Sequence, residues 1–272
     1  MKKLNSKICI VSGHYPSGVF FAEMTKDLLI KYSNINEYDL YYDSETEVDQ
    51  ITSELHFRRC LIIKKASEAF PEAEWYIWLD TDIYVKTLDK KIEDCIDLSN
   101  KNILYHLFHE KPWEFPINTG VKILSKNALH LEEEIYSKRI NCTFPFEQKI
   151  ISEEILPRHK DKIIIHDPEK LNCIYGLHDT ENALFIHLCN RSELDRNLII
   201  LKNNKEVLKA NKEVYSSKYN KYFYWFIIVN KIQKTNKVIL LTKDLVIQGK
   251  IKIVMRGIIS RLKKTYKYNK PN

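Results

Sequence analysis

The sequence predicts an α/β sandwich followed by a basic C-terminal extension, and two observations carry this prediction. Over residues 1–201, short apolar runs alternate with longer segments of helical periodicity, which is the pattern of alternating strands and helices. Charge also divides the chain: residues 1–201 hold 25 Lys and Arg against 33 Asp and Glu, whereas residues 202–272 hold 18 against 3. We therefore predict a folded domain over 1–201 and a basic, mostly helical region over 202–272.

In the first half of the domain, predicted strands alternate with predicted helices. Residues 7–11 form an apolar run that predicts the first strand, and Ser17 is a candidate N-cap for the helix that follows. Residues 38–42 predict a second strand. Residues 52–70 are dense in apolar positions, which predicts a buried helix, and Pro71 ends it.

The second half continues the same alternation. A buried strand is predicted over residues 75–79 and runs directly into Asp80-Thr81-Asp82. The other predicted elements of this half are strands over 103–108, 121–124, 163–165 and 183–188 and helices over 129–136 and 147–156.

The composition is that of a globular protein rather than a disordered, collagen-like or disulfide-stabilised one. The chain has 272 residues, of which 44% are hydrophobic, with 6 Gly and 8 Pro. Its six cysteines are scattered without short metal-ligand spacing, and we interpret them as reduced thiols of a cytoplasmic protein. The apolar run near the N-terminus is too short for a signal peptide, and residues 222–229 fall far below the roughly 20 residues of a membrane-spanning helix. We expect a protein that does not span a membrane.

Asp80 and Asp82 are the most informative pair of residues. On an extended backbone, residues i and i+2 project to the same face, so we expect the two carboxylates to converge beyond the strand end. Two close carboxylates repel unless a cation lies between them, and a hard divalent ion there could also hold the phosphate oxygens of a nucleotide. Ligand sites in open α/β sheets lie beyond the carboxyl ends of strands. The alternative interpretation is an acidic turn, since Asp is common in turns.

Five segments in order resemble glycosyltransferase family 34, the GT-A-fold galactosyl-, xylosyl- and mannosyltransferases. The resemblance covers roughly residues 38–192 and implies a GT-A fold, a Rossmann-like nucleotide-diphospho-sugar transferase sandwich. The segments are FPEAEWYIWLDTD at 70–82, NTGV at 118–121, FEQ at 146–148, LNC at 171–173 and FIHLC at 185–189.

The resemblance implies a metal centre. Asp80, Asp82 and His187 would bind the divalent ion that holds the diphosphate of a UDP-sugar. An imidazole beside two carboxylates suits Mn²⁺ better than Mg²⁺, although Mg²⁺ stays an alternative. Alone, His187 would instead be interpreted as a partly buried histidine at a strand end.

The resemblance also implies the catalytic residues, Glu147 and Gln148. The family retains configuration at the anomeric carbon, and the amide of Gln148 would lie beside that carbon as an electrostatic support. The family's Asp is Glu147 here, a longer carboxylate. The alternative is two exposed residues on the first turn of an amphipathic helix, where Glu complements the helix dipole.

Further residues are implied to contact the donor or the acceptor. Asn118 and Asn172 resemble sugar-binding residues, because an amide both donates and accepts hydrogen bonds, and Gly120 would allow close approach. Arg59 would contact a phosphate, or, with Arg58, form a solvated helix face.

Ser12 and Tyr15 follow the first strand, where this fold binds the nucleoside. Tyr15 would stack on a uracil or form a surface turn. His106, His109 and Glu110 resemble metal-ligand spacing only in isolation, and we assign them acceptor-side or structural roles.

Together these features predict a metal-dependent, retaining hexosyltransferase. It would move galactose or glucose from a UDP-sugar to a saccharide acceptor of a surface glycan such as lipopolysaccharide or capsule. The alternatives are a haloacid-dehalogenase-type phosphatase with Asp80 as nucleophile, and a non-catalytic sugar-nucleotide-binding protein.

The basic region predicts a membrane partner. Lysines recur through residues 202–272 together with an aromatic block between residues 215 and 226, which is typical of peripheral binding to an anionic membrane. We therefore expect the enzyme on the inner face of the cell membrane with a lipid-linked saccharide as acceptor. Nucleic acid is not expected, because the body is acidic and carries no nucleic-acid motif. The alternative is a basic helical appendage packed on the core.

Overall fold

A computed structural model describes residues 6–16, 18–47, 54–110 and 116–203. The basic region lies outside these ranges from residue 204 onward, so its helical character and its boundary with the domain stay predictions. Ser17, the predicted N-cap, also lies outside them. Among the described residues, no helix combines the length and the apolar character needed to cross a bilayer.

The main sheet is mixed and has six described strands in the order β2-β1-β3-β6-β5-β7. Strand β1 runs parallel to β2 and β3, β6 is antiparallel to β3 and β5, and β5 is parallel to β7. The predicted α/β architecture is thereby confirmed. In chain order the described strands are β1 Ile8–Gly13, β2 Asp39–Asp43, β3 Trp75–Leu79, β4 Ile83–Val85, β5 Tyr105–Phe108, β6 Asn118–Ser125, β7 Ile163–His166, β8 Cys173–Ile174 and β9 Phe185–His187.

A second, smaller sheet has the order β4-β9-β8. Strand β9 falls within the predicted segment 183–188, whereas β4 and β8 were not predicted. These two strands have three and two residues, too few for an alternating pattern to show in the sequence.

The helices flank the main sheet. The described helices are α1 Phe20–Asn36, α2 Glu54–Ala69, α3 Leu129–Ser137, α4 Glu147–Ile150, α5 Leu156–Arg158 and α6 Glu193–Asn203, with 3₁₀ turns at Lys126–Ala128 and Lys160–Lys162. The helix predicted over 147–156 is interrupted by a π-helical segment, Ile151–Ile155. Helix α6 was not predicted.

The sheet separates two hydrophobic cores. Side chains of β3 alternate between them, because successive residues of a strand point to opposite faces. Tyr76 and Trp78 pack into the core with α2 and α3, whereas Trp75, Ile77 and Leu79 pack into the core on the side of α1. All five side chains of β3 are buried, so both faces of this strand are covered and its end is held in place.

Candidate active site

The carboxyl end of β3 carries the predicted acidic pair. Pairing of β3 with β6 ends at Leu79 opposite Val121, and the N–H of Asp80 then donates to the carbonyl oxygen of Gly120 at 2.8 Å. The expected extended geometry is wrong here. A turn closed by the N–H of Ile83 and the carbonyl oxygen of Asp80, 3.0 Å apart, leads into β4, and this turn carries Asp80 and Asp82.

The small sheet brings His187 to this turn. Ile83 of β4 pairs with His187 of β9, and the N–H of Leu188 donates to the carbonyl oxygen of Asp82 at 2.9 Å. Ligand atoms of Asp80, Asp82 and His187 therefore lie within 4.8 Å of one another. The pairing of β4 with β9 thus brings His187 to an acidic pair that lies far from it in the chain.

The donor set fits a divalent cation. The Nε2 atom of His187 lies 3.4 Å from Oδ1 of Asp82, and its Nδ1 atom lies 2.9 Å from Oδ1 of Asn172. An amide oxygen only accepts, so Nδ1 of His187 carries a proton and donates. The Nε2 atom is left to face the carboxylates, and two carboxylates with one imidazole suit Mn²⁺ well.

Charge balance in this group depends on His187, Asp82 and Arg196. Burial lowers the pKa of His187, but the Asp82 carboxylate outweighs burial and holds that pKa above its ordinary value. Burial also raises the pKa of Asp82, yet His187 and Arg196 hold it below its ordinary value. Since a histidine must lose its proton to ligate a metal, Nε2 must be deprotonated before His187 can bind a cation.

A hydrogen-bonded chain of amides supports His187. The N–H of Gly120 can only donate, and it donates to Oδ1 of Asn118 at 2.9 Å. The Nδ2 atom of Asn172 donates to the same oxygen at 2.9 Å, which turns Oδ1 of Asn172 toward His187. Asn172 is fully buried and Asn118 nearly so. Both amides therefore support His187, and their predicted contacts with a sugar stay predictions.

Gly120 is where the His187 ring comes closest to the backbone. A Cβ atom at position 120 would overlap Cε1 and Nδ1 of that ring and would lie 3.0 Å from Oδ1 of Asn118. Any larger residue would therefore displace the histidine. The close approach expected at Gly120 is made by a side chain of the protein itself.

Arg59 joins the acidic pair to the predicted catalytic segment. Its guanidinium lies 3.3 Å from Oδ1 of Asp80 and 3.1 Å from Oε2 of Glu147, and Trp78 Nε1 donates to the same Asp80 oxygen at 2.7 Å. Its predicted phosphate contact stays a prediction.

Two alternative interpretations of charged residues are wrong. The solvated helix face expected for Arg58 and Arg59 is absent: Arg58 is buried with Nη2 2.7 Å from Oδ1 of Asp43, and the Arg59 side chain is 12% exposed. Glu147 and Gln148 are buried as well, so they do not form an exposed first helical turn. Ion pairs offset the cost of burying the charges of Arg58, Arg59 and Glu147.

Lys122 forms ion pairs with two fully buried carboxylates, those of Glu132 and Glu147. Its Nζ atom lies 2.8 Å from Glu132 and 2.5 Å from Glu147. Burial lowers the pKa of Lys122, but the two carboxylates outweigh burial and hold it above the ordinary value. Cys60, Glu132 and Glu147 also have the spacing of metal ligands. Because the ammonium of Lys122 contacts both carboxylates and all of these side chains are fully buried, we assign no ion to this cluster.

A cavity of about 260 Å³ lies beyond the carboxyl ends of β1 and β3, the position expected for a ligand in an α/β sheet. Tyr15, Arg59 and Asp80 are among its lining residues. Ser12 is not: its buried hydroxyl donates to the carbonyl oxygen of Leu79 at 2.8 Å. Nucleoside binding by Ser12 and Tyr15 stays a prediction. The cavity is lined by Gly13, His14, Tyr15, Leu55, His56, Arg58, Arg59, Trp78, Asp80 and Thr81.

The sequence analysis did not identify Arg196 as a site residue, and it did not predict the contacts of Glu110 with Asn118 and Gln148. Arg196 of α6 lies with Nη2 2.8 Å from Oδ2 of Asp82, and the apolar periodicity of residues 193–203 could have revealed its helix. Glu110 accepts hydrogen bonds from Asn118 and Gln148. His106 instead contacts His166, with Nδ1 2.9 Å from Nε2.

Two comparisons with known proteins find glycosyltransferases. Residues 13–142 match the model of the galactosyl transferase GMA12/MNN10 family. The chain is also similar to a glycosyltransferase involved in the glycosylation of the major capsid of PBCV-1, whose crystal structure is known. The two sequences are 45% identical and the two structures superpose with a TM-score of 0.67. The alignment covers 70% of this chain and 96% of that chain. The chain belongs to the GMA12/MNN10 family. The resemblance to glycosyltransferase family 34 is thereby confirmed.

A more distant structure shows the fold alone. Apo-form glycosyltransferase GlyE of Streptococcus pneumoniae TIGR4 is 11% identical with a TM-score of 0.50, over 78% of this chain and 63% of that chain. A comparison with curated proteins found no match. As a GMA12/MNN10 family member, this chain is a glycosyltransferase, and the phosphatase alternative is not favoured.

Proposed function

We propose that this GMA12/MNN10 glycosyltransferase moves a hexose, galactose or glucose, from a UDP-sugar to a saccharide acceptor of a surface glycan. The reaction requires a divalent cation, Mn²⁺ in preference to Mg²⁺, and retains configuration at the anomeric carbon. The observation that carries the proposal is the convergence of Asp80, Asp82 and His187 where Asp80 also lines the cavity beyond β1 and β3.

The chemistry follows from charge. Cleavage of the bond between sugar and diphosphate leaves negative charge on the diphosphate, and a cation bound to Asp80, Asp82 and His187 would supply Lewis-acid stabilisation of that charge. Trp78 and Arg59 hold Asp80 in position, and Arg59 keeps a positive charge at the cavity wall. Gln148 supplies an amide dipole for the anomeric carbon, in line with the family resemblance.

The nature of the acceptor is supported by the capsid-glycosylating relative. That protein is described as involved in the glycosylation of a major capsid. Among surface glycans, this similarity favours a saccharide carried by a structural protein over the lipopolysaccharide or capsule that the sequence suggested. A lipid-linked saccharide is the second acceptor candidate, and it is supported by the membrane binding that we propose below for residues 202–272.

Release of UDP from a panel of UDP-sugars tests the donor and the metal. We expect release from one UDP-hexose that is at least about 10-fold faster with Mn²⁺ than with chelator, and slower with Mg²⁺ than with Mn²⁺. The anomeric configuration of the product, read by proton NMR, tests retention. Equal release with metal and chelator would contradict the proposed metal centre. Turnover of a phosphate ester that Asp80→Asn abolishes, with no UDP release, would instead support the phosphatase.

For residues 202–272 we propose peripheral binding to an anionic membrane surface, with the enzyme on the inner face of the cell membrane. Lysine density supports this, since each basic side chain near such a surface contributes about 1 kcal/mol. In flotation assays the full chain should bind phosphatidylserine-rich vesicles and not pure phosphatidylcholine vesicles. The variant Lys263→Glu/Lys264→Glu should bind at least about 10-fold more weakly. Equal binding to both vesicle types would contradict the proposal.

A further inference from the structure

Glu110 is a carboxylate that the family resemblance did not assign to the reaction. It lies two residues beyond β5 and is partly exposed. Its Oε2 atom accepts a hydrogen bond from Nε2 of Gln148 at 2.6 Å, and its Oε1 atom accepts one from Nδ2 of Asn118 at 3.1 Å. Glu110 therefore contacts two amides that the sequence analysis placed near the sugars.

Glu147 cannot take this place beside Gln148. The side chain of Glu147 is 2% exposed, and its oxygens pair with Lys122 at 2.5 Å and Arg59 at 3.1 Å. Both carboxylate oxygens of Glu147 are thus occupied by ion pairs within the buried cluster. The carboxylate that contacts the Gln148 amide in this structure is the one of Glu110.

The direction of these hydrogen bonds follows from chemistry. An ionised carboxylate only accepts hydrogen bonds, so the amide atom of Gln148 that faces Glu110 must be the NH₂ group. The carbonyl oxygen Oε1 of Gln148 is then directed away from Glu110. Within the part of the chain that the structure describes, no hydrogen bond to this oxygen is found. Among the described residues, the lone pairs of Oε1 are therefore left for a group that carries partial positive charge.

We propose that Glu110 is a positioning residue that orients the Gln148 amide so that its carbonyl oxygen faces the anomeric carbon of the donor sugar. This inference rests on the proposed function. The anomeric carbon gains positive charge as its bond to the diphosphate breaks, and a carbonyl dipole held in advance stabilises that charge without reorganisation.

The two contacts of Glu110 respond differently to Glu110→Gln. Asn118 is held independently, because the backbone N–H of Gly120 donates to its Oδ1 atom. The new amide of residue 110 therefore has to offer its carbonyl oxygen to Asn118, which leaves its NH₂ group opposite Gln148. Two NH₂ groups cannot form a hydrogen bond, so the Gln148 amide rotates and turns its own NH₂ group toward the sugar. The support of His187 is unchanged.

Steady-state kinetics of UDP release test this mechanism. Glu110→Gln should lower kcat about 10- to 100-fold, while KM for the donor and the affinity for Mn²⁺ stay within about 2-fold of the wild type. In a Gln148→Leu background, Glu110→Gln should have no further effect, because Glu110 acts through Gln148. The exchange Glu110→Gln/Gln148→Glu should recover part of kcat, because an oxygen faces the sugar again. The exposed Glu133→Gln serves as the matched control for loss of charge.

A second measurement does not depend on turnover. The side-chain amide resonances of Gln148 in a ¹⁵N–¹H spectrum, assigned by their loss in Gln148→Leu, should shift in Glu110→Gln and not in Glu133→Gln. Unchanged resonances would overturn the orientation that we propose, even for an enzyme without UDP-sugar activity. An equal loss of kcat from Glu110→Gln with and without Gln148 would overturn the positioning role. Absence of UDP release from the wild type, with the resonance shift present, would refute the proposed function alone.

Discussion

Asp82→Asn is expected to lower Mn²⁺-dependent UDP release by at least about 100-fold. Asp82 lies between His187 at 3.4 Å and Arg196 at 2.8 Å, and it follows the strand end that also carries Asp80. The amide keeps the size of the carboxylate and removes its charge. One of two anionic ligands is thereby lost, and with it most of the attraction for a divalent cation.

Two measurements check this prediction. UDP release is followed over a Mn²⁺ titration, and Mn²⁺ binding is followed separately by electron paramagnetic resonance of the free ion. The exposed Asp161 provides a matched control, since Asp161→Asn makes the same chemical change on the protein surface. If Asp82→Asn binds Mn²⁺ and releases UDP as the wild type does, the metal centre is not formed by these residues.

Lys122→Met is expected to lower the free energy of unfolding by about 3–5 kcal/mol. The ammonium of Lys122 is fully buried and pairs with Glu132 at 2.8 Å and with Glu147 at 2.5 Å. Methionine fills similar space without a charge. Since Glu147 keeps Arg59 at 3.1 Å, the carboxylate left without a cation is that of Glu132.

Urea denaturation measures this loss. Glu132→Gln in the Lys122→Met background should recover at least about half of it, because no unpaired charge remains buried. Lys64 forms an exposed ion pair with Glu133 at 2.9 Å, and Lys64→Met should cause no measurable change. A loss below about 1 kcal/mol for Lys122→Met would show that the buried pairs do not stabilise the fold as the structure indicates.

The predicted group of Asp80, Asp82 and His187 is present in the structure, whereas the backbone and the charged residues around it differ from those predicted. Strand geometry predicts that Asp80 and Asp82 converge, and the family resemblance implies that His187 joins them; the structure brings the ligand atoms of all three within 4.8 Å of one another. The expected extended geometry of the acidic pair was wrong, because a hydrogen bond from Ile83 closes a turn there. That hydrogen bond is set by the short strand β4, which has no signature of its own in the sequence.

The strands of the main sheet, the acidic pair at the end of β3 and the family of the chain could all be predicted from the amino-acid sequence. These features are local: β3 is buried at every position and its side chains are predominantly apolar, so its own residues identify it wherever it packs. Three features became visible only in the folded chain: the charged interior around Glu147 and Arg59, the contact of Arg196 with Asp82, and the contact of Glu110 with Gln148. The environment of a charged side chain depends on partners from distant segments, as Lys122 does on Glu147. Those long-range contacts determine whether a charged side chain is buried or solvated. Burial of a charge is stable only when an ion pair with another segment offsets the cost of desolvation.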